Sequence, residues 1–135
     1  MATVETVYIG ELRTNNTHLQ SGTQIITDAP TDNQGKGEAF SPTDLLATSL
    51  GTCMLTTMAI RTAKDNINLD GAKCSVTKIM AANPRRVSEI VVDFTFPIAY
   101  TDEQKKLLED AALTCPVYYS LSEQLVKTVN FGWSA

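Results

Sequence analysis

Hydrophobic and polar positions alternate most cleanly in EIVVDFTF, where Ile90, Val92, Phe94 and Phe96 take one side and Glu89, Asp93 and Thr95 the other. A period of two puts successive side chains on opposite faces of an extended chain, so this stretch predicts a half-buried strand, ended by Pro97. AKCSVTKIM before it predicts a second strand, joined through the turn residues ANPRR. The tail LVKTVNFGWS, with Leu125, Val129, Phe131 and Trp133, predicts a closing strand. The first third is patterned less sharply: TVETVYIGEL is strand-like, and HLQSGTQIIT holds a Ser21-Gly22 turn between two extended pieces. DAPTDNQGKGEAF, from Asp28 to Phe40, collects glycine, proline, asparagine and aspartate and predicts a long loop, a kind of segment that is often functional.

Helix signals separate these strands. Ser41 suits an N-cap, Pro42 the first helical position and Asp44 the third, where a carboxylate favours the helix dipole. From there to about Asp65 the chain is apolar on nearly every side, which predicts burial all round. Thr101 and Gln104 form a capping-box pattern for a helix over 102–114, with Leu107, Leu108, Ala111 and Ala112 facing inward. Pro116 then opens a second helix, which makes Cys115 its N-cap. The order β, α, β, α, β with meandering strands predicts an α+β fold rather than a parallel doubly wound sheet, in one domain over residues 1–135.

Composition narrows the function classes. The net charge of −4 and pI near 4.9 argue against a nucleic-acid or anionic-membrane partner. LLATSLGTCMLTTMAI carries no charge but falls short of the roughly 20 apolar residues that span a bilayer. The start MATVETVYIG has Glu5 and no basic stretch ahead of an apolar one, so it predicts no signal peptide and a cytoplasmic location. Three cysteines in a reducing compartment are thiols kept for something other than stapling.

The thiols differ in setting. At a helix N-terminus Cys115 faces unpaired N–H groups and the positive end of the dipole, which lowers a thiol pKa; a neutral capping cysteine is the plainer alternative. Cys53 sits mid-helix, with Leu46, Ser49, Leu50, Thr56, Thr57 and Ile60 at helical spacing. Apolar burial makes such a cysteine inert unless a fixed cation stands nearby. Arg13, Arg61, Arg85 and Arg86 are the arginines available, and spacing alone does not choose among them. Cys74 shares a strand face with Val76 and reads as core. One histidine, His18, argues against most zinc sites and against a histidine-activated nucleophile. No CxxC and no phosphate-binding glycine fingerprint occurs, so neither a metal nor a cofactor is expected.

SPTDLLATSLGTC, ending at Cys53, and CPV beginning 62 residues later at Cys115 resemble the OsmC/Ohr family of osmotically induced and organic hydroperoxide resistance proteins. GELR near the start, DAP before the loop and the closing strand extend the likeness over nearly the whole chain. The resemblance implies an intertwined homodimer, its central buried helices wrapped by antiparallel sheets, with two sites at the interface. It implies that Cys53 is peroxidatic, that Cys115 resolves it, and that Arg13 of GELR activates the thiolate. The partners implied are a small hydroperoxide and an external dithiol reductant. The Ohr branch has a glutamate ten positions before the peroxidatic cysteine, holding the arginine; that position here is Thr43. Asp44, nine residues from Cys53, falls half a turn away on the opposite helix face. Glu38 would substitute only if its loop folded inward. The chain therefore resembles the broader OsmC-like branch, and the expected activity is thiol-dependent hydroperoxide reduction. A redox sensor or a small-hydrophobe carrier are the alternatives from other classes.

Overall fold

A computed structural model describes all 135 residues, which divide into two compact units, Met1–Leu46 and Ala47–Ala135. The first unit is an antiparallel sheet of β1 (Val4–Gly10), β2 (Arg13–His18) and β3 (Gln24–Asp28), in that order. The hydrophobic pattern does not mark β2, whose sequence RTNNTH is polar throughout. Cross-strand pairing supports it instead: the Thr6 hydroxyl donates to Asn16 Oδ1 at 2.7 Å, and the hydroxyls of Thr14 and Thr27 are bonded to each other. Glu11 and Leu12, the two residues between β1 and β2, have φ of 55° and 64°. A two-residue hairpin with right-handed strand twist requires this left-handed backbone, although neither residue favours it.

After β3 the loop turns back on its own sheet. Asp28 N–H donates to the Phe40 carbonyl at 3.0 Å and Ala29 N–H to that of Leu12 at 3.1 Å. Gly37 N–H in turn donates to the Ala29 carbonyl at 3.2 Å. A Cβ on Gly35 would lie 1.8 Å from that same carbonyl oxygen, so only glycine fits.

α1 (Pro42–Arg61) opens as its sequence predicts: Ser41 N–H donates to Asp44 Oδ2, and Asp44 N–H to Ser41 Oγ, each at 3.0 Å. It ends at Arg61, short of the expected Asp65, where the chain tightens into a 3-10 turn over Ala63–Asp65 and leaves through Asn66 in left-handed backbone. The expected all-round burial is not met within the chain. One stripe, Ala47, Leu50, Gly51, Met54, Thr57 and Met58, is buried, while Ile60 on another face is 69% exposed.

In the second unit, β4 (Lys73–Ala81), β5 (Arg86–Thr95) and β6 (Val126–Gly132) form a sheet in that order. Ile90, Val92, Phe94 and Phe96 of the alternating stretch are buried against Leu50, Met54, Met58 and Leu108. β4 pairs antiparallel with β5, but β6 pairs parallel to it, Val92 opposite Val129. The sheet is thus mixed rather than wholly antiparallel. The cause is the connection: α2 (Asp102–Ala112) and α3 (Pro116–Ser120) lie between β5 and β6, and a crossover of that length returns the chain to the end where β5 began. The Thr101–Gln104 capping box closes α2's first turn. Leu108, Ala111 and Ala112 face inward, but Leu107, at the edge of that stripe, is 40% exposed. The fold is α+β, as the element order implies.

Candidate active site

The three cysteines are free thiols. Cys53 stands half-buried in α1, its Sγ 3.9 Å from Thr57 Oγ1 one turn on. Cys115 is fully buried at the N-cap of α3, where its Sγ accepts the Tyr118 N–H at 3.4 Å. The two thiols, so far apart in sequence, come within interaction range of each other. Of the two readings left open for Cys115, the neutral capping cysteine is the one its surroundings favour. Burial pushes this thiol up, and the hydrogen bond and charge of Cys53 add to the rise against the opposing N–H groups of Tyr118 and Val117. The five-residue helix supplies two donors, too little to offset desolvation. Cys74 packs beside Gly51 with its pKa also raised by burial, in keeping with its reading as core.

The arginines have separate tasks. Arg61, at the end of α1, donates to the hydroxyl of Thr114 and, at 2.9 Å, to its carbonyl, which braces the joint before Cys115. Arg86 donates to the carbonyls of Ala82 and Pro84 and so pins its own turn. Arg13, first residue of β2, donates through Nη2 to Asp28 Oδ2 at 3.3 Å and to the Glu38 carboxylate. Asp28 is fully buried, and its Oδ2 also accepts the Glu38 N–H at 2.9 Å. That N–H and then the Arg13 guanidinium hold the Asp28 carboxyl below the usual carboxylate range, while Asp28 raises Arg13. Arg13 Nε and Asp28 Oδ1 are buried without a hydrogen-bond partner.

The loop folds back on its own sheet, and there Glu38 reaches Arg13. Thr43, whose hydroxyl lies 3.2 Å from that of Ser41, belongs to the cap of α1. Sequence reasoning missed Asp28 as a partner of Arg13. The signal was its pairing with Arg13 across β2 and β3, which appears only once the register is known.

A sequence profile of the OsmC-like protein family matches residues 35–130, which include both thiols and Glu38. The chain belongs to the OsmC-like family. It is 51% identical to a Psychrobacter arcticus 273-4 protein provisionally described as an osmotic stress induced and detoxification response protein, with 97% of this chain and 96% of that one covered and a TM-score of 0.94. An OsmC-like protein from Mycoplasma pneumoniae is 20% identical over 95% and 93% of the two chains, with a TM-score of 0.78. A Legionella pneumophila organic hydroperoxide resistance protein OsmC is 14% identical over 96% and 94%, with a TM-score of 0.75; these two share the fold. No functionally curated protein matches. In this OsmC-like chain no helix is long and apolar enough to cross a membrane.

Proposed function

We propose that this OsmC-like protein is a thiol-dependent reductase of small organic hydroperoxides, working as a cytoplasmic homodimer. The observation that carries the reading is the Cys53–Cys115 pair, brought within interaction range inside one unit. Cys53, as thiolate, attacks the distal peroxide oxygen. An S–O bond forms, the O–O bond breaks, and the alcohol leaves with a proton, so that sulfur is oxidised to sulfenic acid and the peroxide reduced. Cys115 then attacks that sulfur. The S–S bond forms as the S–O bond breaks, and the departing hydroxide takes the Cys115 proton to leave as water. An external dithiol restores both thiols by exchange. Arg13 is the cation that favours the Cys53 thiolate, and no metal or cofactor takes part. The apolar neighbours of Cys53 on α1 suit an alkyl group, and the Legionella relative's name supports the substrate class.

The test is consumption of tert-butyl hydroperoxide with dithiothreitol in excess. A reductase consumes many equivalents per chain, and Cys53→Ser abolishes the activity. A sensor stops after one equivalent and a carrier consumes none, and either result would replace this reading.

A further inference from the structure

The threonine hydroxyls along α1 do not all find the same kind of partner. Thr52 donates back to the Ser49 carbonyl at 3.2 Å and Thr56 to that of Thr52 at 2.8 Å. Thr62, just past the helix, donates to the Met58 carbonyl at 2.7 Å. Bonding to a carbonyl one turn back is the ordinary choice of a helical threonine. Thr57 differs. Its hydroxyl lies against Cys53 Sγ at 3.9 Å, on the helix face that a spacing of four gives to both side chains. Thr57 belongs to the buried stripe that also holds Met54 and Met58, and a hydroxyl so placed needs a protein partner. Cys53 and Thr57 lie in the second unit, as does Cys115, the other group within reach of the Cys53 thiol.

We infer that Thr57 is a catalytic residue, whose hydroxyl donates to Cys53 Sγ and favours its thiolate form. The inference rests on the reading of Cys53 as the attacking thiolate. In the neutral thiol either atom could be the donor, and an S–H group is a weak one. Once the sulfur has lost its proton it can only accept. The Thr57 proton then points at it, and a hydrogen bond to a charged acceptor shortens and strengthens. A bond stronger to the charged form than to the neutral one favours the charged form. The same bond makes the sulfur a poorer nucleophile, by about threefold per unit of lowered pKa in thiol–disulfide exchange. The two effects dominate in different pH ranges. Below the midpoint of ionisation the supply of thiolate limits the rate, whereas above it only nucleophilicity counts. Removing the hydroxyl should therefore slow Cys53 at low pH and speed it at high pH. A threonine that only packed the helix would give no such crossing.

The experiment measures the rate at which iodoacetamide alkylates Cys53, read from the mass of its peptide, across the pH range of thiol ionisation. It compares wild type with Thr57→Val, Thr57→Ala and Thr57→Ser, each checked for folding by urea unfolding. Thr57→Val should raise the midpoint by about one unit. Below the midpoint about tenfold fewer thiolates, each about threefold more reactive, should leave this variant about threefold slower. On the alkaline plateau it should be about threefold faster. Thr57→Ser keeps the hydroxyl and should follow wild type. Single-turnover reduction of tert-butyl hydroperoxide should cross in the same way. A Thr57→Val midpoint equal to that of wild type, or a rate lower by one factor at every pH, would overturn the inference and leave the proposed function standing. A wild-type chain that consumes no peroxide would remove the function and the catalytic role together, whatever the midpoints. Should Thr57→Val fail to fold, Thr57→Ala carries the same comparison.

Discussion

Asp28 is fully buried, ionised and held by the Glu38 N–H and the Arg13 guanidinium. Its folded pKa lies below the ordinary 3.8, so folding favours the charged form. The stability this contributes is full above the unfolded-state value and is lost as pH falls through the folded one. Asp28→Asn should therefore be less stable than wild type near neutrality, and the gap should narrow below about pH 4. Urea midpoints measured between about pH 7 and pH 3 check this; parallel curves for the two proteins would contradict it. Single residues were legible in the sequence where the physics is local. Ser41 and Asp44 cap α1, and Cys115 and Pro116 open α3, because each needs only near neighbours. Asp28 was not legible, because its partners Arg13 and Glu38 meet it only through strand register and loop closure. The sequence left the state of Cys115 open between a lowered thiol and a neutral cap for a related reason: burial is a tertiary property, and here it outweighs the helix terminus.

α1 and β4 meet at Gly51, where a Cβ would come within 2.7 Å of Val76 Cγ2 and 2.9 Å of Cys74 Sγ. Val76 is β-branched and stiff, so the helix rather than the side chain must give way. Gly51→Ala should cost about 1–3 kcal/mol from overpacking, offset by up to about 1 kcal/mol of helix propensity. Denaturant unfolding should show a net loss, and Cys74→Ala in the same chain should recover part of it. A more stable Gly51→Ala protein would mean that the two elements can separate freely. The elements readable in advance are those with a strong period or paired caps. β5 alternates over its core face, and α2 carries its capping box in sequence. β2 was hidden because its stability lies in paired threonines and asparagines rather than in an apolar face. The parallel pairing of β6 was hidden because it depends on how α2 and α3 return the chain.

One copy of the chain leaves much apolar surface uncovered. Val4, Val7, Tyr8 and Ile9 of β1, Ile25 and Ile26 of β3, and Ile60 of α1 are all exposed. The proposed homodimer would account for this surface, and an obligate dimer should unfold at a midpoint that rises with protein concentration. A well-folded monomer at micromolar concentration by light scattering would contradict it. The central claim concerns chemistry that joins two distant parts of the sequence, since a disulfide needs Cα atoms within about 7 Å. Reduced protein treated with one equivalent of tert-butyl hydroperoxide per chain, then alkylated and digested without reductant, tests that claim most directly. The account predicts one peptide pair linked through Cys53 and Cys115 of the same chain, with Cys74 recovered as an alkylated thiol. A bridge containing Cys74, or oxidation of Cys53 beyond sulfenic acid with no bridge at all, would contradict it.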